Sequence, residues 1–556
     1  MTKSSAISLI ALLTALSSMT SSEALAQGGL QPPPAPAGNQ VTAEKALLGK
    51  ALFWDEQLSS TRMIACGSCH GMEAGGSDPR SIIGDPRSTH PGADGILGTN
   101  DDVTGSPGVV RSGADGLYVA DAVYSLAPQV TGRRSMPAVN GGYGPAMFWD
   151  GRAVEEFRDP LTNQVVLRRF AALESQVLGP PLSDVEMGHE GMDWQDVSDR
   201  ITDVDPLAMA TNIPIDLDVW IANRSYPALF NEAFGDPTID PVRIAMAIAT
   251  YERTLYTDQA PIDDFLNGNN NALTQQEVRG FNLFNSPRTD CRICHGGPVF
   301  TDNNFHYTGV RPQNEDEGLG GISGDPREFG RMKSPSLRNV ELRAPYFHGG
   351  TEGTLVGVIN FYNRGGDFNG PNKAPAVRPL GLNGQERADL LAFLTRPLTD
   401  PRLRNGLAPF DSPTLHSQSG QRPQVFGLPT PGSNGIAPQM VAFEPPMINN
   451  PSMTVGVDRA LGGAWATLLV DRAPDLFGSP LRGATCYLDL SANVVRNDIQ
   501  LNGVGAGNGT GSLSFAIPNT PALAGSDFYA QWFIEDADAP GGVSATLACQ
   551  FTLFQN

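Results

Sequence analysis

The chain has 556 residues, more than one hydrophobic core usually fills, so roughly two to four domains are expected. Its 38 Lys and Arg stand against 59 Asp and Glu, a formal charge of −21 that excludes the basic face a nucleic-acid partner needs. The 62 Gly and 45 Pro predict a loop-rich construction.

Residues 1–26 read as an export leader. Lys3 opens it, residues 7–16 are apolar, and Ala24-Leu25-Ala26 forms a small-residue cleavage site before Gln27. That apolar run is too short to cross a bilayer and no other stretch is longer, so no membrane span is expected and the mature protein is placed in the periplasm or outside the cell. Residues 27–40 are Pro- and Gly-rich and read as a flexible leader.

From Val41 to Leu52 the apolar residues Ala43, Leu47, Leu48 and Ala51 share one helical face. Phe53-Trp54-Asp55 then leads to Cys66-Gly67-Ser68-Cys69-His70, the C-x-x-C-H signature of covalent haem attachment. A second copy, Cys291-Arg292-Ile293-Cys294-His295, follows a segment, Glu277–Phe284, that is similar to Leu47–Trp54. This weak repeat predicts two related cytochrome c domains, at 41–255 and 256–400. The rival readings are redox dithiols or zinc ligands, but zinc would want a second Cys pair close by.

Between the first motif and Met136 lies a polar, Gly-rich insertion. Its Asp94–Asp102 stretch clusters oxygen ligands without matching the twelve-residue calcium loop, so a solvated loop is expected, with His90 on the surface. Helical periodicity returns at 241–255 and again at 384–394, where Pro397 stops it. Residues 401–452 turn to Pro, Ser, Gly and Asn and read as a linker. Residues 453–556 alternate strand-like runs with Gly and Asn turns, the pattern of a β-sandwich. Cys486 and Cys549 are expected to form a disulfide there. The expected fold class is mainly α, two cytochrome c-type haem domains followed by an all-β, sandwich-like C-terminal domain.

The ordered blocks LGKALFWDEQLS, C-x-x-C-H, MPAVN, FWDGR, VEMG, the second C-x-x-C-H, SPSLRN and APYFHGG resemble the bacterial di-haem cytochrome c peroxidases and their MauG-type relatives over residues 40–400. The β domain lies outside that resemblance. The likeness implies two covalently bound haem c groups, with His70 the proximal ligand of a peroxidatic haem and His295 that of an electron-transfer haem. It assigns Glu186 the distal acid–base role that O–O cleavage requires. Gln176, ten positions earlier, and Pro180 belong to the same pocket; a surface carboxylate is the plain alternative for Glu186. Trp149 matches the indole set between the haems, although a buried core aromatic would look the same. Asn140 is implied as a ligand of one Ca²⁺, with backbone oxygens near Lys333 and Pro335. Tyr362 falls where peroxidases carry a Met ligand, and no Met occurs between Met332 and Met440. MauG-type proteins use a Tyr here, whose negative charge favours oxidised iron. If Tyr362 only packs, His306 or His348 would be left to ligate.

The implied function is reduction of hydrogen peroxide to water with electrons relayed between two haems. One alternative is a MauG-like oxidase of a protein substrate, a branch known for oxidising Trp residues of a partner; another is a non-catalytic di-haem electron carrier. The expected partners are peroxide, a small redox protein or protein substrate, and a second copy of the chain in a homodimer.

Overall fold

The computed structural model describes residues 30–490 and 494–555; the stretch expected to be an export leader, 1–26, lies outside them. The helix Ala43–Trp54 starts where Thr42 Oγ1 accepts the Lys45 N–H, and it packs along Pro241–Thr254, whose N-cap Asp240 accepts the Arg243 N–H. The two meet at Gly49: a Cβ there would lie 1.9 Å from the Ala247 carbonyl oxygen. Residues Gln275–Phe284, opened by a Thr274/Glu277 capping box, repeat this arrangement against Gly384–Leu394. Here Gly280 would place a Cβ 2.0 Å from the Asp389 carbonyl oxygen. The two glycines occupy matching places before the two Cys motifs, so the sequence repeat is a structural repeat.

Each pair of helices carries its own core. Phe53, Trp54, Phe157, Phe230 and Tyr251 lie in the first, and Phe284, Phe300 and Phe393 in the second. The expectation of a mainly α fold is corrected in one respect. Even the longest described helix, Pro241–Thr254, has 14 residues, and most connections are irregular, because Gly and Pro interrupt helix propagation throughout. The second half of the Pro-rich leader is also packed: Asn39 is buried and bonds the Glu174 carboxylate (2.8 Å) and the Met246 carbonyl (2.9 Å).

The C-terminal region is β-rich. In one sheet Met453–Gly462 runs antiparallel between Gln439–Ala442 and Gly505–Phe515. The other has the order 495–500, 465–471, 527–535, 548–552, 424–426. Between the sheets lie Val455, Val457, Leu468, Ile534 and the fully buried Trp532. The stretch expected to be a linker thus supplies an outer strand to each sheet, and its Leu403, Phe410 and Leu415 enter the first of the two helical cores. Its Pro and Gly content reflects irregular backbone, not absence of packing.

The disulfide expectation is overturned: Cys486 and Cys549 are free thiols. On strand Asp527–Glu535, Ala530, Trp532 and Ile534 face the sandwich core with Cys549. Tyr529 and Phe533 face the opposite side with Cys486. Period-two alternation puts the two sulfurs in separate apolar clusters on opposite faces of one sheet.

Candidate functional site

Each C-x-x-C turn is a single helical turn, Cys66–Cys69 and Cys291–Cys294, closed by the following His N–H bonding back to the first Cys carbonyl (3.0 and 2.9 Å). His70 Nδ1 contacts the Gly76 carbonyl (3.1 Å) and His295 Nδ1 contacts that of Phe300 (3.3 Å). A carbonyl can only accept, so Nδ1 carries the hydrogen and Nε2 keeps its lone pair for a metal. None of the four motif cysteines is disulfide-bonded. Burial pushes the Cys66 thiol up to about 12 and the Cys291 thiol up to about 11, the reverse of the depressed values that reactive dithiols show.

His70 opens into a cavity of about 540 Å³, and His295 into one of about 200 Å³. The first brings together His70, Gln176, Pro180, Glu186 and Trp149. Burial raises the Glu186 carboxyl above its ordinary value, opposed by the Arg152 guanidinium. Arg152 is held in place by Asp150 (2.8 Å) and lies 3.6 Å over the Phe148 ring. The second cavity brings Tyr362, carried on the Thr354-capped helix Leu355–Arg364, together with His295. Burial is the main cause raising the Tyr362 hydroxyl, followed by the nearby motif thiols.

Trp149 and His348 line both cavities. They stand at equivalent points of the repeat, each after a Phe in left-handed conformation (Phe148, φ 64°; Phe347, φ 67°), and their rings meet edge-on at 6.1 Å. The Trp149 indole donates to the Arg134 carbonyl at 2.8 Å. His306 does not offer a free nitrogen: its Nε2 meets Asp302 Oδ2 at 2.8 Å, which holds the imidazole up to about 9. Cys294, Asp302 and His306 form the only metal-like cluster among the described residues, but Cys294 belongs to the haem motif.

Several cationic side chains of the site were given no role from the sequence. Arg134 and Lys333 line both cavities and Arg343 lines the second; all three are buried. Arg134 Nε, Arg343 Nε and His348 Nε2 have no hydrogen-bond partner. Burial lowers the three cations, to about 10 for Arg134, 9 for Arg343 and 8 for Lys333, and the two arginines also repel one another. Buried, unpaired donors call for acceptor groups of a bound ligand. Haem propionates supply such acceptors, so the residues present fit two haem c groups. The doublet Arg133-Arg134, in so acidic a chain, was the available signal.

At Asn140, the residue implied for Ca²⁺, Oδ1 accepts the Thr257 N–H (3.0 Å) and Nδ2 donates to Thr257 Oγ1 (2.9 Å), so the side chain ties two segments far apart in the chain. In the Asp94–Asp102 loop the carboxylates accept amides of the loop itself, and the Asp101 and Asp102 carbonyls accept the Arg311 guanidinium. This loop is not detached: His90 and Gly92 form part of the first cavity wall.

Comparison with known proteins agrees with this geometry. Residues 43–271 match the family model described as di-haem cytochrome c peroxidase. The methylamine utilization protein MauG of Methylorubrum extorquens is 29% identical over 373 residues, 66% of this chain and 82% of that protein. The cytochrome c peroxidase Ccp of Escherichia coli K12 is 29% identical over 338 residues, 60% of this chain and 55% of that one. A MauG-like protein associated with microbial copper homeostasis superposes with a TM-score of 0.50 at 27% identity, covering 69% of this chain and 97% of its own. With its paired Cys-His motifs and its two cavities, the chain is similar to the di-haem cytochrome c peroxidases and MauG, and its β-rich C-terminal region lies outside the matched family model.

Proposed function

We propose that this chain is an exported, periplasmic di-haem oxidoreductase that reduces hydrogen peroxide at the His70 cavity. The observation that carries the reading is the convergence of Glu186 and Gln176 on the cavity into which His70 opens. Bound haem iron would supply the redox chemistry of O–O cleavage. The protein's own contribution is proton handling. A carboxyl raised by burial holds a proton closer to neutral pH than an exposed Glu does, and it can take the proton from one peroxide oxygen and return it to the other. The Gln176 amide, on the same wall, orients the substrate. Trp149 lines both cavities and is the aromatic path for electrons, which come from a small redox protein or a protein substrate. Replacing Glu186 by Gln should lower the rate of reaction with peroxide by about 10²–10⁴-fold with both haems retained. Stopped-flow rates equal to wild type would remove Glu186 from this role.

A second reading, a MauG-like oxidase of a protein substrate, is favoured by Tyr362 in the His295 cavity, where no Met lines the wall on that helix. Ligation of haem by His295 and Tyr362 predicts that the ferric protein lacks the near-infrared band of Met ligation and that Tyr362→Met restores it. An absorption spectrum that shows this band in the wild type would refute Tyr362 as a ligand.

A further inference from the structure

We infer that the C-terminal β domain, through Tyr118 and Gln129 of the insertion, positions Glu186 in the His70 cavity; this rests on the reading of Glu186 given above. The chain of contacts is continuous. The segment around Glu186 is held by backbone bonds to the insertion: Val109 N–H donates to the Val185 carbonyl (3.1 Å), Gln129 Nε2 to that of Asp184 (2.6 Å), and Glu190 N–H to that of Ser112 (2.9 Å). The fit is close, since a Cβ on Gly108 would lie 1.8 Å from the Val185 carbonyl oxygen. The insertion is in turn fastened to the β domain. Tyr118 Oη donates to Glu444 Oε1 (3.0 Å), its N–H to Ser512 Oγ (2.9 Å), and Ser125 Oγ to Asp458 Oδ1 (2.7 Å). Val110, Tyr118, Leu126 and Val441 close this junction as one buried apolar cluster.

Among described residues the insertion forms two-residue strands, short 3₁₀ turns and isolated bridges such as Pro107–Val130, so its backbone lacks the long cooperative ladders that stiffen a sheet or long helix. A carboxyl that must meet both peroxide oxygens tolerates little displacement, and a shift of about 1 Å costs up to about a hundredfold in rate. Tyr118 and Gln129 are therefore positioning residues that act through backbone, far from the peroxide itself.

The test uses the full-length holo-protein carrying Tyr118→Phe with Ser125→Ala, and separately Asp458→Ala on the β side, each checked for haem content and far-UV circular dichroism. Hydrogen exchange at the Val109 and Glu190 amides should quicken about tenfold or more in both variants. The rate with peroxide should fall by about tenfold, with no further fall when either variant is combined with Glu186→Gln. Unchanged exchange at Val109 and Glu190 would overturn the mechanical link. An equal loss of rate in the Glu186→Gln background would overturn its passage through Glu186. If Glu186→Gln alone keeps the wild-type rate, the role of Glu186 in catalysis falls, while the exchange measurement still decides whether the β domain holds that segment.

Discussion

Replacing His416 by Phe should change how stability responds to acid, and the structure sets the size. His416 is fully buried, stacks on Phe554 at 5.3 Å, and has no partner for either ring nitrogen. Burial, aided by Arg422, pushes its imidazole from 6.5 down to about 4. The same residue's backbone N–H donates to Glu56 Oε2 (2.7 Å), and Ser417 N–H to Oε1 (3.1 Å). Even with these bonds, burial pushes Glu56 from 4.5 up to about 7. Each change corresponds to about 3 kcal/mol, with opposite sign. The His416 contribution is complete above pH 6.5 and is lost as pH falls toward 4. The Glu56 contribution is complete below pH 4.5 and is lost as pH rises through about 7. In the wild type the two nearly cancel between pH 6.5 and 4.5. His416→Phe keeps the stack and leaves only Glu56, so stability relative to wild type should rise by up to about 3 kcal/mol on acidification. Glu56→Gln leaves only His416 and should show the opposite slope. Urea unfolding followed by circular dichroism from pH 7 to 4.5 measures both. Parallel profiles for wild type and His416→Phe would refute a buried, neutral imidazole at this junction.

Two other outcomes concern the frame. Gly49→Ala forces a methyl group into the Ala247 carbonyl, a backbone atom that cannot rotate away, and should cost about 3 kcal/mol or more by displacing Ala43–Trp54. A melting temperature within about 2 °C of wild type would refute the closeness of that approach. Free Cys486 and Cys549 predict two thiols per chain on titrating the denatured holo-protein, because haem attachment consumes the other four; a count of zero would restore the disulfide.

The parts of this protein that depend on local chemistry were legible in the chain itself. A C-x-x-C-H turn carries its cofactor chemistry within five consecutive residues, and the helical face of Ala43, Leu47, Leu48 and Ala51 shows within nine. Period-two runs after Met453 announced strands for the same reason. What lay beyond reach depended on contacts between residues far apart in the chain. Trp149 and His348 meet across the repeat, and Arg134, Lys333 and Arg343 converge from both halves on space that only the folded chain creates. Composition misread residues 401–452 because irregular backbone and buried backbone share the same Pro and Gly. The Cys pair was misread because an oxidising compartment and a leftover pair of Cys say nothing about which face of which sheet each thiol takes. The amino-acid sequence alone placed the two C-x-x-C-H motifs and the imidazole that closes each. Only tertiary structure decided what surrounds those imidazoles, because burial, and with it the protonation of Glu186, Glu56 and His416, belongs to the packed chain and not to any one segment of it.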